Sequence, residues 1–151
     1  MPGHVVASTK PALVTTLLGS CVSVCLFNQQ AKFGAINHYM LPSTNSGVRS
    51  PKYGDFAIRS LIQFMYKNSG GLDHVVAMVF GGASVVRSIT YGVNIGDENV
   101  AMARKMLSEY RIPIVKAMTG GLQGLKVRYR TWDNQVQFRR IQKSETTEDD
   151  I

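Results

Sequence analysis

Features that mark extracellular and membrane proteins are scarce in this sequence. Its 151 residues include only two cysteines, Cys21 and Cys25, which lie too close together to suggest a disulfide framework. No apolar run approaches the length of a membrane span. The first ten residues lack the charged start and apolar middle of a signal peptide. We therefore expect a cytoplasmic protein with free thiols and no membrane insertion.

Acidic residues are also few, and they are unevenly placed. The chain has 17 Lys and Arg residues against 10 Asp and Glu, and four of those acids lie in the last seven residues, ETTEDDI. Residues 1–144 therefore hold 17 basic and 6 acidic residues, a net charge of +11. Such a body should attract an acidic partner, and nucleic acid, anionic lipid and an acidic protein surface all qualify.

The composition suits one globular domain with a real core. Hydrophobic residues make up 44% of the chain and charged residues 18%, which is typical of a folded domain of this length. We find no internal repeat and no change in composition before residue 143. The sequence predicts one domain over residues 1–142, followed by an acidic tail over residues 143–151 that should be disordered.

Hydrophobic periodicity predicts two helices among several strands. The first, within residues 53–71, has Asp55 as its expected N-cap and an apolar stripe at helical spacing: Ile58, Leu61, Ile62 and Met65. The second, within residues 96–110, begins near Asp97 and carries an apolar face: Val100, Ala103, Leu107 and Tyr110. Strands are predicted over residues 20–28, 31–41, 74–80, 114–118, 125–132 and 135–141. These elements favour an α+β layered domain over a regular βαβ fold.

The first predicted hairpin brings a cysteine and a histidine together. With Gln29 and Gln30 as the central turn residues, Cys21 lies directly opposite His38, with Cβ atoms about 4.5–5.5 Å apart on one face of the sheet. An imidazole beside a thiol can take its proton and activate it as a nucleophile. Backbone N–H groups of the preceding Gly19-Ser20 could bind the oxyanion of an intermediate. Candidates for a third group that orients the imidazole are Thr15, Thr16 and Asn37.

Structural interpretations compete with this dyad. Cysteine is among the most frequently buried residue types, so Cys21 could be a plain core residue, as we expect Cys25 to be. A metal site made of Cys21, Cys25 and His38 would lack a fourth ligand. His4 and His74 have no evident partner in the sequence and are predicted to be surface or strand-end residues.

The last hairpin supports a competing function. Lys126, Arg128 and Arg130 alternate with apolar residues, so one face of the strand is basic. A turn at Asp133-Asn134 would pair Tyr129 with Phe138 on the core face and Arg128 with Arg139 outside. A basic strand face could hold phosphates, as in a nucleic-acid-binding module. The same face could instead contact an acidic protein or simply face solvent.

Five segments, taken in order, resemble a known family. "TTLLGSCVSVCLFN", "GAINHYMLP", "FGGAS", "NIGDENV" and "TGG" together resemble CheD, the family of bacterial chemoreceptor glutamine deamidases. The resemblance implies that Cys21 is the nucleophile and His38 its base. It also implies a catalytic threonine six residues before the cysteine, at Thr15, which would orient His38 through its hydroxyl or its backbone carbonyl. Thr16 is adjacent and is the alternative for this role.

The resemblance further implies a fold, a reaction and partners. The fold would be a layered α-β-β sandwich. The enzyme would convert glutamine side chains to glutamate through a thioester, without a metal or an organic cofactor. Its substrate would be the cytoplasmic region of methyl-accepting chemoreceptors, and the phosphatase CheC is a further expected partner; nucleic acid is not. A catalytically silent adaptor of receptor or phosphatase is the alternative. The glycine pairs of "FGGAS" and "MTGG" would either line the site or form simple turns.

Overall fold

The protein is organised in three layers, two of them sheets. The computed structural model describes residues 3–44, 46–85, 89–90 and 93–141. Both helices pack on one face of a five-stranded sheet, and a three-stranded sheet covers the other face. This arrangement confirms the predicted α+β fold with an α-β-β layering. The predicted acidic tail, residues 143–151, lies outside the described residues.

The elements follow one another with short connections. The helices are α1 (Gly54–Ser69) and α2 (Ile95–Glu109). The strands are β1 (His4–Ala7), β2 (Leu13–Leu18), β3 (Val22–Asn28), β4 (Phe33–His38), β5 (Val75–Gly81), β6 (Ile89–Thr90), β7 (Val93–Asn94), β8 (Ile114–Thr119), β9 (Leu125–Arg130) and β10 (Val136–Arg140). Neither described helix is long and apolar enough to cross a membrane.

The larger sheet has the strand order β1-β4-β3-β5-β8. Its pairs are antiparallel except β5 with β8, which run in parallel. The smaller sheet has the order β10-β9-β2 and is antiparallel throughout. A short β6–β7 ribbon precedes α2. Strands β3 and β5 are buried along their whole length because both of their faces are covered.

Alternation along β3 divides the core into two clusters. Val22, Val24 and Leu26 point to the helices, where they join the α1 stripe predicted from the sequence. Cys21 and Cys25 point the other way, into the layer between the two sheets. That second cluster also contains the inward residues of the smaller sheet: Leu18, Leu125, Val127 and Tyr129. The intersheet layer is where both cysteines lie.

Some local predictions were wrong at element ends. Asp55 is not the N-cap of α1; the cap is Tyr53, which makes no side-chain cap hydrogen bond, and Asp55 lies in the first turn. Tyr110 is the C-cap of α2 and is exposed, so it leaves the apolar face. Strands β1 and β2 were not predicted. Both proved important, because they flank the candidate site.

The last hairpin forms with the predicted faces but different partners. Tyr129 pairs with Val136, and Arg128 with Gln137. The predicted pairs Tyr129–Phe138 and Arg128–Arg139 are therefore wrong by two positions. Residues 131–135 form the connection, with Asn134 at a φ of 61°. Because a shift of two residues preserves side-chain direction, the basic side chains still lie on the outer face.

Candidate active site

The turn at residues 19–21 is held by three consecutive backbone carbonyls. The carbonyl of Gly19 accepts from the Ala83 N–H at 2.9 Å, and that of Cys21 accepts from the Gly82 N–H at 2.9 Å. Between them, the Ser20 carbonyl accepts from Nδ2 of Asn99 at 2.9 Å. We refer to residues 19–21 as the cysteine turn. Its peptide planes are fixed from one side by the loop after β5 and by α2.

Glycines after β5 make this close approach feasible. Gly81 has a φ of +106°, and a Cβ there would lie 2.2 Å from the Cys21 carbonyl oxygen. A Cβ on Gly96, in the first turn of α2, would lie 2.4 Å from the Ala83 carbonyl oxygen. Only glycine fits at such separations. The glycine-rich loops adjoin one another as well, since Gly120 N–H donates to the Gly81 carbonyl at 3.0 Å. The "FGGAS" loop therefore supports the cysteine turn directly.

Asn99 was not singled out by the sequence, although it lies in the "NIGDENV" segment. Its side chain is fully buried, and Nδ2 donates to the Ser20 carbonyl and, at 2.8 Å, to the Met40 carbonyl. The Tyr39 hydroxyl donates to the Asn99 carbonyl at 2.6 Å. One residue of α2 thus ties the cysteine turn to the end of β4. The sequence did offer one signal for Asn99: it is a polar residue four positions before Ala103, on the predicted apolar face of this helix.

Cys21 and His38 share a face of the sheet, but they are not directly opposed. The β3–β4 ladder pairs Cys25 with Ile36 and Asn28 with Phe33, and an isolated bridge pairs Val22 with Tyr39 in the same register. This register places Ser23, not Cys21, opposite His38, so the predicted pairing was wrong by two positions. Cys21 is the diagonal neighbour of His38. Diagonal neighbours in a sheet are about 7–8 Å apart at the backbone, a distance that an aromatic side chain such as imidazole can span.

The hairpin loop explains the shift. It consists of residues 29–32 rather than a two-residue turn at Gln29-Gln30. Oδ1 of Asn28 accepts from the N–H groups of Gln30 and Ala31 at 2.9 and 2.8 Å. The Lys32 N–H donates to the Asn28 carbonyl at 2.9 Å, with Lys32 at a φ of 59°. Asn28 thus organises a four-residue loop, because its side chain caps the local N–H groups.

His38 is buried, and Thr16 holds one side of its ring. The imidazole is 3% exposed, and its Nδ1 lies 2.9 Å from Oγ1 of Thr16. Its Nε2 is buried without a hydrogen-bond partner among the described residues. Burial lowers the pKa of His38 from 6.5 to about 3, with a contribution from repulsion by His4. The ring is therefore neutral at physiological pH, and one of its nitrogens is an acceptor.

The two threonines point to opposite faces of β2. Thr16 is buried between the sheets, whereas Thr15 is exposed and pairs with Arg128 of β9. Asn37, the other candidate for orienting the imidazole, uses Oδ1 to accept from the Val24 N–H at 2.8 Å. Of the three candidates, Thr16 makes the side-chain contact with the ring. The catalytic role assigned to Thr15 by resemblance stays a prediction.

His4 lies beside the site rather than apart from it. Strand β1 pairs with β4 so that His4 is directly opposite His38. The two histidines line one small cavity together with Thr16 and Ser23. His4 is exposed and is the first residue of β1, as predicted for a surface or strand-end residue; its position opposite His38 was not predicted. His74 is an exposed residue next to β5, in agreement with its prediction.

Both cysteines are reduced and buried. Cys21, just before β3, is 2% exposed, and Cys25, in the middle of that strand, is 1% exposed. Burial raises the pKa of the Cys25 thiol far above its ordinary value, which suits an inert core residue. In the described part of the chain, no group of three or more His, Cys, Asp or Glu residues is arranged to hold a metal ion.

Comparisons with known proteins point to one family. A family model described as CheD chemotactic sensory transduction matches residues 40–140. Relatives from Sulfurimonas denitrificans and Trichlorobacter lovleyi, each named "Probable chemoreceptor glutamine deamidase CheD", are both 38% identical to the chain. The first alignment covers 91% of this chain and 90% of the relative, and the second 83% and 79%.

A third relative, "Probable chemoreceptor glutamine deamidase CheD 1" from Anaeromyxobacter dehalogenans, is 34% identical over 92% of this chain and 81% of its own length. The Sulfurimonas alignment leaves out only about 14 residues of the chain. It therefore includes the positions of both Cys21 and His38, which precede the segment matched by the family model.

Proposed function

The chain belongs to the CheD family, and we propose on that basis and on the site geometry that it deamidates glutamine side chains of chemoreceptors. The observation that carries the mechanism is the shared face of Cys21 and His38 in the intersheet layer, with Nδ1 of His38 engaged by Thr16. Relatives with this activity in their names cover most of the chain.

Cys21 is the proposed nucleophile and His38 the proposed base. Nε2 of His38 takes the thiol proton, and Sγ attacks the carbonyl carbon of the glutamine side-chain amide. The same nitrogen then gives its proton to the amide nitrogen, the C–N bond breaks, and ammonia leaves a thioester on Cys21. Water hydrolyses the thioester to glutamate and regenerates the thiol.

The proposed role of His38 as a base requires one tautomer, and the contact with Thr16 accommodates it. For Nε2 to accept a proton, Nδ1 must carry one, and Oγ1 of Thr16 is placed to accept that N–H. We assign Thr16 as a positioning residue that fixes the ring and its tautomer. Thr15 is the residue implied by family resemblance, but its side chain lies on the other face of β2. Any part it takes in orienting His38 would run through its backbone.

The cysteine turn is also a candidate for the oxyanion site. In a trans peptide the N–H and C=O point in opposite directions, and the described residues contain no cis peptide. Because Asn99 holds the Ser20 carbonyl, it also fixes the direction of the Cys21 N–H. A donor fixed before the reaction begins stabilises developing charge without reorganisation.

The proposed substrate is the cytoplasmic region of methyl-accepting chemoreceptors, which requires the enzyme to act in the cytoplasm. Two observations support an acidic protein partner: the net charge of residues 1–144 and the basic outer face of the smaller sheet. The phosphatase CheC stays a predicted partner by resemblance. No cofactor is required by the chemistry, because the thiol supplies the nucleophile.

The test is direct conversion of amide to acid. Purified cytoplasmic fragments of several chemoreceptors are incubated with the protein, and mass spectrometry locates the mass increase of about 1 Da for each glutamine converted to glutamate, while released ammonia is measured in parallel. Cys21→Ala is the matched inactive variant. Conversion at specific glutamines by the wild-type protein and none by Cys21→Ala supports the proposal, whereas equal conversion by both would remove it.

A further inference from the structure

A small cavity runs from the protein surface to the catalytic imidazole. Its volume is about 50 Å³, and it lies beside β1, β4 and β2. Exposed His4 and Thr15 contribute to its lining, as do the buried residues Ser23, Asn37 and His38. The cavity therefore connects solvent at the β1–β2 side with the ring of His38. Cys21 is not among its lining residues.

The buried end of this cavity carries two polar atoms without partners among the described residues. Oγ of Ser23 and Nε2 of His38 make no hydrogen bond to those residues, and both residues are at most 3% exposed. Leaving one such group unsatisfied costs about 1–3 kcal/mol, so two at one cavity favour a ligand that satisfies both. Among its lining residues only the histidines ionise, and the buried one, His38, is neutral at physiological pH.

The chemistry of these atoms defines the ligand. Nε2 of His38 accepts a hydrogen bond when Nδ1 is protonated, and the Ser23 hydroxyl can donate or accept one. The ligand must therefore donate a hydrogen bond to Nε2 while remaining small and neutral. A cavity of this size exceeds the roughly 10–15 Å³ that a water molecule needs. Water meets each requirement.

We propose that this cavity supplies the water that hydrolyses the thioester, and that Ser23 positions it against His38. The inference rests on the proposed function. Ser23 is opposite His38 in the strand register and two residues from Cys21 on the same face, about 7 Å along β3. Water thus reaches the imidazole from the β1–β2 side while the bound receptor segment covers the thiol.

The hydrolytic step balances with these groups alone. Nε2 of His38 takes a proton from the water as its oxygen attacks the acyl carbon. The new C–O bond forms, the C–S bond breaks, and Sγ leaves as a thiolate. The imidazolium returns its proton to Sγ, and the glutamic acid product loses its own proton to solvent. Ser23 does not bond to the substrate; it acts by orienting the water.

The experiment separates the two half-reactions. A chemoreceptor cytoplasmic fragment is mixed with the enzyme, samples are quenched in acid, and intact-mass spectrometry measures the fraction of enzyme carrying an acyl group on Cys21. Ser23→Ala should release its first ammonia at a rate within about two-fold of wild type. Its acyl-enzyme should persist about ten-fold longer, which is the effect of one lost hydrogen bond. Cys25→Ala, on the same face of β3 but outside the cavity, should leave the lifetime unchanged.

A second variant and a crystal structure distinguish loss of the bound water from misfolding of the Ser23→Ala variant. Val6→Phe fills the cavity from β1 without removing any polar group, and it should also lengthen the acyl-enzyme lifetime. A high-resolution crystal structure should show a water bonded to Ser23 Oγ and His38 Nε2 in the wild-type protein. The inference alone would be overturned if the acyl-enzyme lifetime were unchanged in both Ser23→Ala and Val6→Phe. It would also be overturned if these variants slowed ammonia release and thioester hydrolysis equally. Absence of any acyl-enzyme or ammonia with the wild-type protein would overturn the proposed function instead.

Discussion

Cys21 and Cys25 lie on the same face of β3 and are almost equally buried, yet their surroundings differ. Cys25 is paired on both sides, with Ile36 of β4 and Met78 of β5. Cys21 precedes the strand, in a turn held by loop contacts. We expect Cys21→Ala to abolish ammonia release while preserving the fold. Cys25→Ala should retain activity and lose about 1 kcal/mol of stability, typical of a small buried truncation.

The measurements are ammonia release with a receptor fragment and the free energy of unfolding in urea. Near-normal turnover by Cys21→Ala would contradict the mechanism. Labelling with iodoacetamide at neutral pH offers an independent check, because local opening of the cysteine turn exposes Cys21 without breaking the β4–β3–β5 ladder. Faster labelling of Cys25 than of Cys21 would contradict this account.

Thr15 and Thr16 provide a matched pair for testing how the imidazole is oriented. Thr16→Val keeps the side-chain shape and removes the hydroxyl that contacts Nδ1 of His38. It should lower kcat by about ten-fold, the value of one hydrogen bond, with little change in KM. Thr15→Ala removes an exposed side chain and should change kcat by less than two-fold if only its backbone contributes. The reverse order of effects in steady-state kinetics would show that Thr15 acts through its side chain.

His38 should also make stability depend on pH. Its pKa falls from 6.5 in the unfolded chain to about 3 in the folded protein. Below pH 6.5 the unfolded state therefore binds a proton that the folded state does not. Stability then falls as the pH drops from 6.5 towards 3, with a slope of about 1.4 kcal/mol per pH unit from this residue. His38→Gln should lose that part of the slope.

Urea unfolding at pH 7, 6 and 5 measures the effect. The comparison uses the slope of stability against pH rather than its absolute value, because the substitution itself changes packing. Asn68→Gln, at an exposed residue without an ionisable side chain, is the control and should keep the wild-type slope. Identical slopes for wild type and His38→Gln would mean that the folded protein protonates His38 as readily as the unfolded chain does.

At the scale of elements, α2 holds the site together through one side chain. Asn99→Leu keeps the size of the residue and removes both hydrogen bonds from Nδ2, leaving the carbonyls of Ser20 and Met40 without that donor. We expect a loss of about 2–4 kcal/mol in stability, and at least a ten-fold loss in kcat while the variant remains folded. Asn68→Leu, which removes an exposed bond to the Phe64 carbonyl, is the control.

Denaturant titration and single-turnover kinetics report the two effects separately. An Asn99→Leu variant that loses stability but turns over normally would limit Asn99 to a structural role. Restored activity in Asn99→Gln, whose longer amide can still donate, would support a role in holding the cysteine turn. The Asn68→Leu control should change stability by less than about 0.5 kcal/mol, as expected for a surface substitution.

Both hairpins illustrate how far the sequence determines a strand pair. Period-two alternation correctly predicted that Cys21 and His38 share a face, and that Arg128 points outward. The partners were wrong by two positions in each hairpin, because loop length sets register and neither loop is a two-residue turn. In the first loop, the decisive contacts come from Asn28, a residue that the sequence assigned to the strand.

Other site residues depended on contacts between distant segments. The helical stripe of α1 and the glycine-rich loops were predictable from local pattern. The local sequence pattern does not separate Thr16 from Thr15; only the packing of β2 over β4 shows which of them faces His38. In the same way, the contacts of Asn99 depend on how α2 packs against the cysteine turn. The proposed nucleophile and base follow from motif, whereas the residues proposed to position them follow from tertiary packing.

At the scale of the whole molecule, the net positive charge lies away from the two helices, whose four basic residues are balanced by four acidic ones. Lys126 and Arg128 of β9, with Arg139 of β10, border a shallow cavity of about 270 Å³ on the outer face of the smaller sheet. Thr15 of the neighbouring strand β2 pairs with Arg128, and it also lines the cavity that leads to His38. The basic face is therefore continuous with the surroundings of the site. An acidic receptor helix captured there would lie close to the proposed catalytic residues.

This arrangement predicts electrostatic capture of the substrate. Lys126→Glu combined with Arg128→Glu should raise KM for an acidic receptor fragment about ten-fold and flatten its dependence on salt, with kcat little changed. The control reverses two charges on the opposite layer, Arg59→Glu with Lys67→Glu on α1, and has the same net charge. Steady-state kinetics between 20 and 300 mM NaCl tests both, since screening grows as the Debye length shrinks. Equal effects of the two double variants would mean that net charge alone guides the encounter. Tight, salt-sensitive binding of the wild-type basic face to DNA or RNA would instead favour the nucleic-acid function.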